Sequence, residues 1–329
     1  MMTGRKGGGP ETYERCLVES LIRVDPDAHY TTYSLAQQST AYLPPAGERL
    51  TQRVLSDRSR VLSTAVTLPL LLLRDGIDLL HAPFTPPPLS SRPYVFTHHC
   101  FSSFNHPEFY APHILLRLNA LIKKGLHSAR RIICVSQCTL DLTAELFNLD
   151  RDRMHVVHNG VSPQFRPQAK PIARAAMAER YGLHRPYLLY VGKLEARKNI
   201  VRLLEAFDRF RRETRDDALL VLAGARSPMS GGIDETIKRL QLAPDVREIG
   251  YVPDADLPSL YGGARMFVFP SLWEGFGIPA IEAMACGTPV LTSNLSALPE
   301  VCGDAALLVD PYDANEIAHG MQQLWRDDE

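Results

Sequence analysis

The chain has 329 residues, with 36 Lys and Arg against 37 Asp and Glu, a formal net charge of −1. That balance argues against a bulk nucleic-acid binder. An apolar fraction of 45% with 22% charged residues is that of a globular protein, and the length allows two domains of ordinary size. The six cysteines are scattered through apolar contexts, which favours cytosolic thiols over a disulfide frame. Cys134 and Cys138 lack the second pair that a zinc site needs.

In chain order, Met1 to Lys6 is polar and is followed by the glycine turn Gly7-Gly8-Gly9-Pro10. Glu11 to Arg23 reads as an amphipathic helix, with Tyr13, Cys16, Leu17, Leu21 and Ile22 on one side. Val61 to Leu73 is the longest apolar run and ends at Arg74. It is too short for a bilayer, which needs about 20 residues, so a buried helix is expected. Asp78 to Phe84 reads as a short strand, Pro86-Pro87-Pro88 as a stiff loop, and Pro93 to His99 as a strand entering a polar turn. Ile114 to Leu126 has helical apolar spacing with Arg117, Lys123 and Lys124 among it. Such a helix either lies on an anionic membrane face or shows its charges to solvent. Ile132 to Ser136 reads as a buried strand whose polar end faces the cleft, Gln137 to Phe147 as a helix, and Met154 to Val161 as a strand into an Asn159-Gly160 turn of positive φ. Pro163 to Pro171 holds three prolines and is the linker candidate, dividing domains 1–166 and 167–329.

The second half opens with a helix over Ile172 to Tyr181. Strand Tyr187 to Val191 then runs into Gly192, with Lys193, Arg197 and Lys198 close behind. Asn199 is placed to cap a helix from Ile200 to Phe210. Cations beside a helix N-terminus suit a diphosphate, and a solvated basic loop is the plainer reading. Ala218 to Ala223 and Val246 to Val252 read as strands, and Asp254 and Asp256 as caps of a helix from Leu257 to Gly262. The Asp-x-Asp spacing there recurs at Asp25 and Asp27 and at Asp150 and Asp152, so it carries no metal assignment.

Met266 to Phe269 is an apolar run closed by Pro270, as a buried strand would be. A tight loop follows, Glu274-Gly275-Phe276-Gly277-Ile278, then a helix with Pro279 in its first turn and Gly287 at its left-handed end. Strand, glycine loop and helix N-terminus together make an anion site. Glu274 and Glu282 frame it; eight fully helical steps would separate them by about 12 Å along the axis. Carboxylates accept from sugar hydroxyls, so the local chemistry points to a phosphorylated, hydroxyl-rich ligand. Spacing alone leaves open a solvated Glu on a loop and another on a helix face. Strands at Pro289 to Thr292 and Ala305 to Val309 and helices at Ala297 to Cys302 and Asn315 to Trp325 complete the chain.

The run E-G-F-G-I-P-A-I-E-A-M-A-C-G-T-P-V, with V-G-K-L-E-A-R-K-N and V-S-Q-C-T, resembles family 4, or group 1, retaining glycosyltransferases. The resemblance extends from about Gly7 to Glu329 and is strongest after Tyr187. It implies an α/β GT-B fold of two Rossmann-like domains facing a central cleft, with a first strand ahead of Gly7 and a last helix beyond Glu329 that this sequence does not spell. It implies a sugar moved from a nucleotide-diphosphate sugar, of GDP-mannose or UDP-sugar type, to a carbohydrate or lipid-linked acceptor with retention of configuration. No cofactor or metal is implied beyond that donor. Glu274 and His99 are expected at the transferred sugar. Lys198, Arg197 and Lys193 are expected at the phosphates, with Gly9, Gly275, Phe276, Gly277 and Ile278. Glu282 is expected at the ribose, and Tyr251 and Val252 near the base. Two departures stand out: Cys100 and Ser162 occupy positions where the family carries Asp. The implied location is cytoplasmic, with peripheral contact at the inner membrane face. A truncated, inactive relative that binds only nucleotide or a partner is the alternative, and a nucleotide-sugar epimerase of the same fold a lesser one.

Overall fold

The structure is a computed structural model and describes residues 9–35, 43–55, 62–84, 87–100, 102–109, 112–227 and 231–326. The expectations for Met1 to Gly8 and for Pro86 lie outside the described residues. The chain divides into two compact units, Met1–Asn159 and Gly160–Glu329. The division falls just ahead of the proline-rich linker candidate.

The second unit is one six-stranded parallel sheet. Its strands are β7 (Tyr187–Val191), β8 (Leu219–Ala223), β9 (Val246–Gly250), β10 (Met266–Phe269), β11 (Val290–Ser293) and β12 (Leu307–Val309). Their spatial order is β12-β11-β10-β7-β8-β9. Counted from β7, that is the doubly wound order with its switch point between β7 and β10, where Leu188 pairs with Met266 and Leu189 with Phe267. Both switch-point strands are apolar along their length because helices cover both faces of a parallel sheet. All four residues of β10 are fully buried. The covering helices are α5 (Lys170–Tyr181), α6 (Ile200–Thr214), α7 (Ile233–Arg239), α8 (Leu257–Gly263), α9 (Ile278–Ala285), α10 (Leu298–Cys302) and α11 (Ala314–Arg326). Trp325 of α11 meets Phe210 of α6 edge to face, with centroids 5.4 Å apart.

The first unit holds a four-stranded parallel sheet in sequential order β3-β4-β5-β6. Its strands are Leu80–Ala82, Tyr94–His98, Arg131–Cys134 and Met154–Val156. Helix α1 spans Gly9–Val24, α2 Leu68–Arg74, α3 Pro112–Ser128 and α4 Gln137–Phe147. A parallel pair, β1 (Tyr30–Ser34) and β2 (Leu50–Val54), stands apart in a sheet of its own. Their sequences, YTTYS and LTQRV, carry little apolar signal, and no strand is expected there from periodicity.

Several expectations are corrected. Val61 lies outside the described residues, and the rest of the apolar run, 62–73, is not a buried helix: a π turn at Ser63–Thr67 leads into α2, and Leu62, Val66, Leu70 and Leu73 are all half-exposed or more. Among its described residues Ser63, Leu68 and Leu72 are buried, and Leu71 packs against the same cluster. Neither Asn159 nor Gly160 has positive φ. Ser136 is fully buried rather than open, because its hydroxyl accepts from Thr139 N at 3.1 Å and caps α4. Asn199 and Asp256 sit at helix N-cap positions but cap nothing with their side chains. Asp256 instead pairs with Arg180 and accepts from the Tyr181 hydroxyl at 2.7 Å.

Candidate functional site

Two loops meet at the carboxyl ends of the switch-point strands. β7 gives way to Gly192 and then to a single 3₁₀ turn, Ala196–Lys198, while β10 gives way to Pro270 and the glycine loop. A backbone hydrogen bond from Leu272 N to Arg197 O, 3.0 Å, ties the two loops together. Asn199 fixes the same junction from below in a left-handed conformation, φ 63°. Its amide donates to Pro270 O at 3.0 Å and to Pro311 O at 2.7 Å. Gly224, at the end of β8, is needed for packing. A Cβ there would stand 1.9 Å from Gly192 O, so only glycine lets the loop after β7 lie this close.

Glu274 is the centre of this cluster and only 8% exposed. Lys198 Nζ donates to one carboxylate oxygen and Arg197 Nη1 lies 3.3 Å from the other. Arg197 is further held by Trp273 O at 2.6 Å and Glu195 Oε1 at 2.7 Å. Lys193 stands 3.9 Å from Glu195 at the rim. Lys198 also lies over the Phe269 ring, 5.0 Å from its centroid. Burial alone pushes the Glu274 carboxyl up, but Lys198 and Arg197 outweigh it and hold the group below the usual carboxylate range. Burial lowers the Lys198 ammonium, and neighbouring Arg197 adds to that, while Glu274 works the other way. The set is thus a buried anion bracketed by two cations that are spoken for by charge yet crowded against one another.

The glycine loop turns into α9 through Gly277, with φ 105°. A Cβ at this position would come within 2.6 Å of Leu298 Cδ2, so the loop requires both the conformation and the bareness of glycine. Gly275 and Phe276 are buried and Ile278 opens the helix. One turn into α9, Glu282 is 7% exposed and has no ion pair among the described residues. Its Oε2 accepts from the Tyr261 hydroxyl at 2.9 Å. Burial raises its carboxyl to about 7, with Asp254 adding to the rise and the Tyr261 hydrogen bond opposing it. Tyr251 and Val252 follow β9; Tyr251 is half-exposed and Val252 buried.

In the first unit, His99 follows β4. Its ring stacks on Phe84 at 4.0 Å and 12°, and meets Tyr13 of α1 edge-on at 4.4 Å. Burial, with His98 and His81 nearby, pushes it down to about 3, so the ring is neutral. His98 is buried and bonded to Thr143 Oγ1 at 3.0 Å, which gives it a structural partner. His81 Nε2 and the Tyr13 hydroxyl both reach Thr97 Oγ1, at 2.7 and 3.3 Å. Gly9 is the first residue of α1.

The structure therefore brings Lys193, Arg197, Lys198, Glu274 and the glycine loop into one cluster. Glu282, one turn into α9, has a separate partner, the Tyr261 hydroxyl. Sequence reasoning missed Tyr261 and the anchoring role of Asn199. The available signal for Tyr261 was a tyrosine on the apolar face of a short helix, since a buried hydroxyl needs a partner.

A doubly wound parallel sheet with a glycine loop and two cations paired to one carboxylate at its switch point defines an α/β protein with a candidate anion site. The family model for glycosyl transferases group 1 matches residues 178–329, and that for glycosyltransferase family 4 matches residues 7–165. Over 262 residues the chain is 38% identical to O-antigen chain mannosyltransferase B of Escherichia coli, covering 78% of this chain and 68% of that one. It is 31% identical over 206 residues to the serotype-specific mannosyltransferase WbdA of Escherichia coli, covering 61% of this chain but 25% of that one. HepE of Anabaena, solved with UDP and glucose, shares the GT-B fold with a TM-score of 0.76 at 18% identity, over 100% of this chain and 89% of that one. The chain belongs to the group 1, family 4 glycosyltransferases.

Proposed function

We propose that this protein moves a sugar from a nucleotide-diphosphate sugar, of GDP-mannose or UDP-sugar type, to a carbohydrate or lipid-linked acceptor with retention of configuration. One observation carries the reading: buried Glu274 paired with the part-buried Arg197 and Lys198 at the switch point, on the loop that leads into α9. A leaving diphosphate gathers negative charge, and two cations with a helix N-terminus meet it without a metal ion. Glu274, held ionised, fixes the cations and presents an acceptor for sugar hydroxyls. Glu282 serves the ribose hydroxyls, Tyr251 and Val252 the base, and neutral His99 the transferred sugar. No side chain of the set is placed as a nucleophile, so the leaving phosphate takes the acceptor's proton on the same face.

The mannosyltransferase relatives favour mannose as the sugar, and the UDP complex of HepE keeps a uridine donor in play. Among the described residues no helix is long and apolar enough to cross a membrane. Exposed Arg117, Lys123 and Lys124 on α3, a helix without an acidic residue, support peripheral contact with an anionic membrane face. The test is turnover of GDP-mannose and UDP-sugars on a lipid-linked saccharide, read as nucleoside diphosphate released and as the anomeric configuration of the product. One donor is expected to turn over with retention, and Lys198→Ala to lose on the order of 100-fold in kcat. Inversion, or a Lys198→Ala variant with full activity, would contradict the reading.

A further inference from the structure

Tyr261 is fixed from three directions. Its ring meets Phe165 and Phe267 edge-on, with centroids 6.0 and 5.4 Å away. Its carbonyl accepts from Thr288 Oγ1 at 2.7 Å, and the whole side chain is buried. The hydroxyl that emerges from this packing has one partner, Glu282 Oε2. A carboxylate oxygen only accepts, so a phenol that can donate is matched to it.

The groups facing Glu282 are few. Asp254, after β9, raises its carboxyl; the Cys286 thiol at the end of α9 is itself raised by burial and by Glu282. Tyr190 of β7 lies near Tyr261, and burial together with Glu282 keeps the Tyr261 phenol protonated. Among the described residues no cation pairs with Glu282, and Oε1 accepts no hydrogen bond. One oxygen is thus pinned and the other is left with its acceptor capacity.

We infer that Tyr261 is a positioning residue for the donor: by holding Oε2 of Glu282 it fixes the carboxylate so that Oε1 can accept from hydroxyls of the nucleotide sugar. The inference rests on the proposed reading, in which Glu282 takes the ribose. Tyr261 touches no substrate; it acts through Glu282, and it helps the carboxylate exist in ionised form in a site whose burial favours the neutral acid.

Tyr261→Phe removes one hydroxyl and keeps the ring. Nucleotide affinity is measured by calorimetry from pH 6 to 9 on wild type, Tyr261→Phe, Glu282→Gln and the double variant. In wild type, affinity rises with pH through about 7, as the Glu282 carboxyl ionises. In Tyr261→Phe the midpoint moves to higher pH, affinity at pH 7 falls about three- to tenfold, and kcat stays near wild type at saturating donor. Glu282→Gln is flat with pH, and adding Tyr261→Phe to it costs nothing more. Carbon NMR of the Glu282 carboxyl reads the same midpoint without nucleotide, with an upward shift expected in Tyr261→Phe. Equal affinity and midpoint in wild type and Tyr261→Phe would overturn the inference alone. So would a loss in the double variant equal to that in wild type, the mark of a merely structural tyrosine. A wild type that binds no nucleotide would overturn the reading of the site as well, and that outcome is distinct from the others.

Discussion

Glu274 and Glu282 flank one glycine loop, and both are more than nine-tenths hidden from solvent. Glu274 lies against Lys198 and Arg197 and stays ionised. Glu282 lies against a phenol with no cation paired to it among the described residues, and burial carries its carboxyl to about 7. The same residue type, on the same loop and helix, thus has opposite proton habits, and neighbours alone make the difference. A permanent anion suits the job of holding two cations where, in the proposed function, a diphosphate leaves. A carboxyl poised near neutrality suits hydroxyl contacts whose strength follows pH.

The comparison can be broken from the Glu274 side with the largest effect. Glu274→Ala leaves the part-buried Lys198 without its carboxylate and Arg197 with Glu195 alone, and breaking a largely buried pair costs up to about 3–5 kcal/mol. A denaturant titration at pH 7 reads this loss. The Glu274 contribution has a sign: its carboxyl is depressed in the folded state, so the stability is present above the unfolded carboxyl range and is lost as pH falls through the folded value. Wild type and Glu274→Ala therefore converge in strong acid.

Gly277→Ala should act next, because it forces a side chain into φ 105° and against Leu298 Cδ2. About 1–3 kcal/mol is expected, together with weaker nucleotide binding as the start of α9 shifts. A thermal melt with and without nucleotide separates the two.

Glu282 gives the smaller and more telling effect. Its folded carboxyl is raised, so ionising it costs folding energy. Stability conferred by the neutral acid is full below the unfolded carboxyl range and declines as pH rises through about 7. The decline is bounded at roughly 3 kcal/mol by the size of that shift. Glu282→Gln should remove this slope, so melts at pH 5 and 8 would differ less than in wild type. A wild type without the slope would contradict the assigned environment.

The switch-point strands were legible because parallel strands covered on both faces must be apolar throughout. Tyr187–Val191 and Met266–Phe269 are read from sequence with their observed limits. So is the helix Gln137–Phe147, where the Ser136 and Thr139 pairing supplies its start. The glycine loop was legible for a related reason: Gly277, Pro279 and Gly287 each answer a backbone demand local to the chain. What could not be read was long-range. Asn199 reaches Pro311 across 112 positions, and Tyr261 reaches Glu282 from a different helix. The half-exposed leucines of α2 also defeat pattern reading, since an apolar run states what could be buried and not what is. The polar strands β1 and β2 carry no period to find.

The most direct test of the donor site is a thermal-shift panel of UDP, GDP and ADP with their common sugars on wild type and Lys198→Ala. The account predicts that one nucleotide class raises the melting temperature of wild type and that Lys198→Ala loses the gain. No shift with any nucleotide on folded wild type, or an undiminished shift in Lys198→Ala, would contradict it.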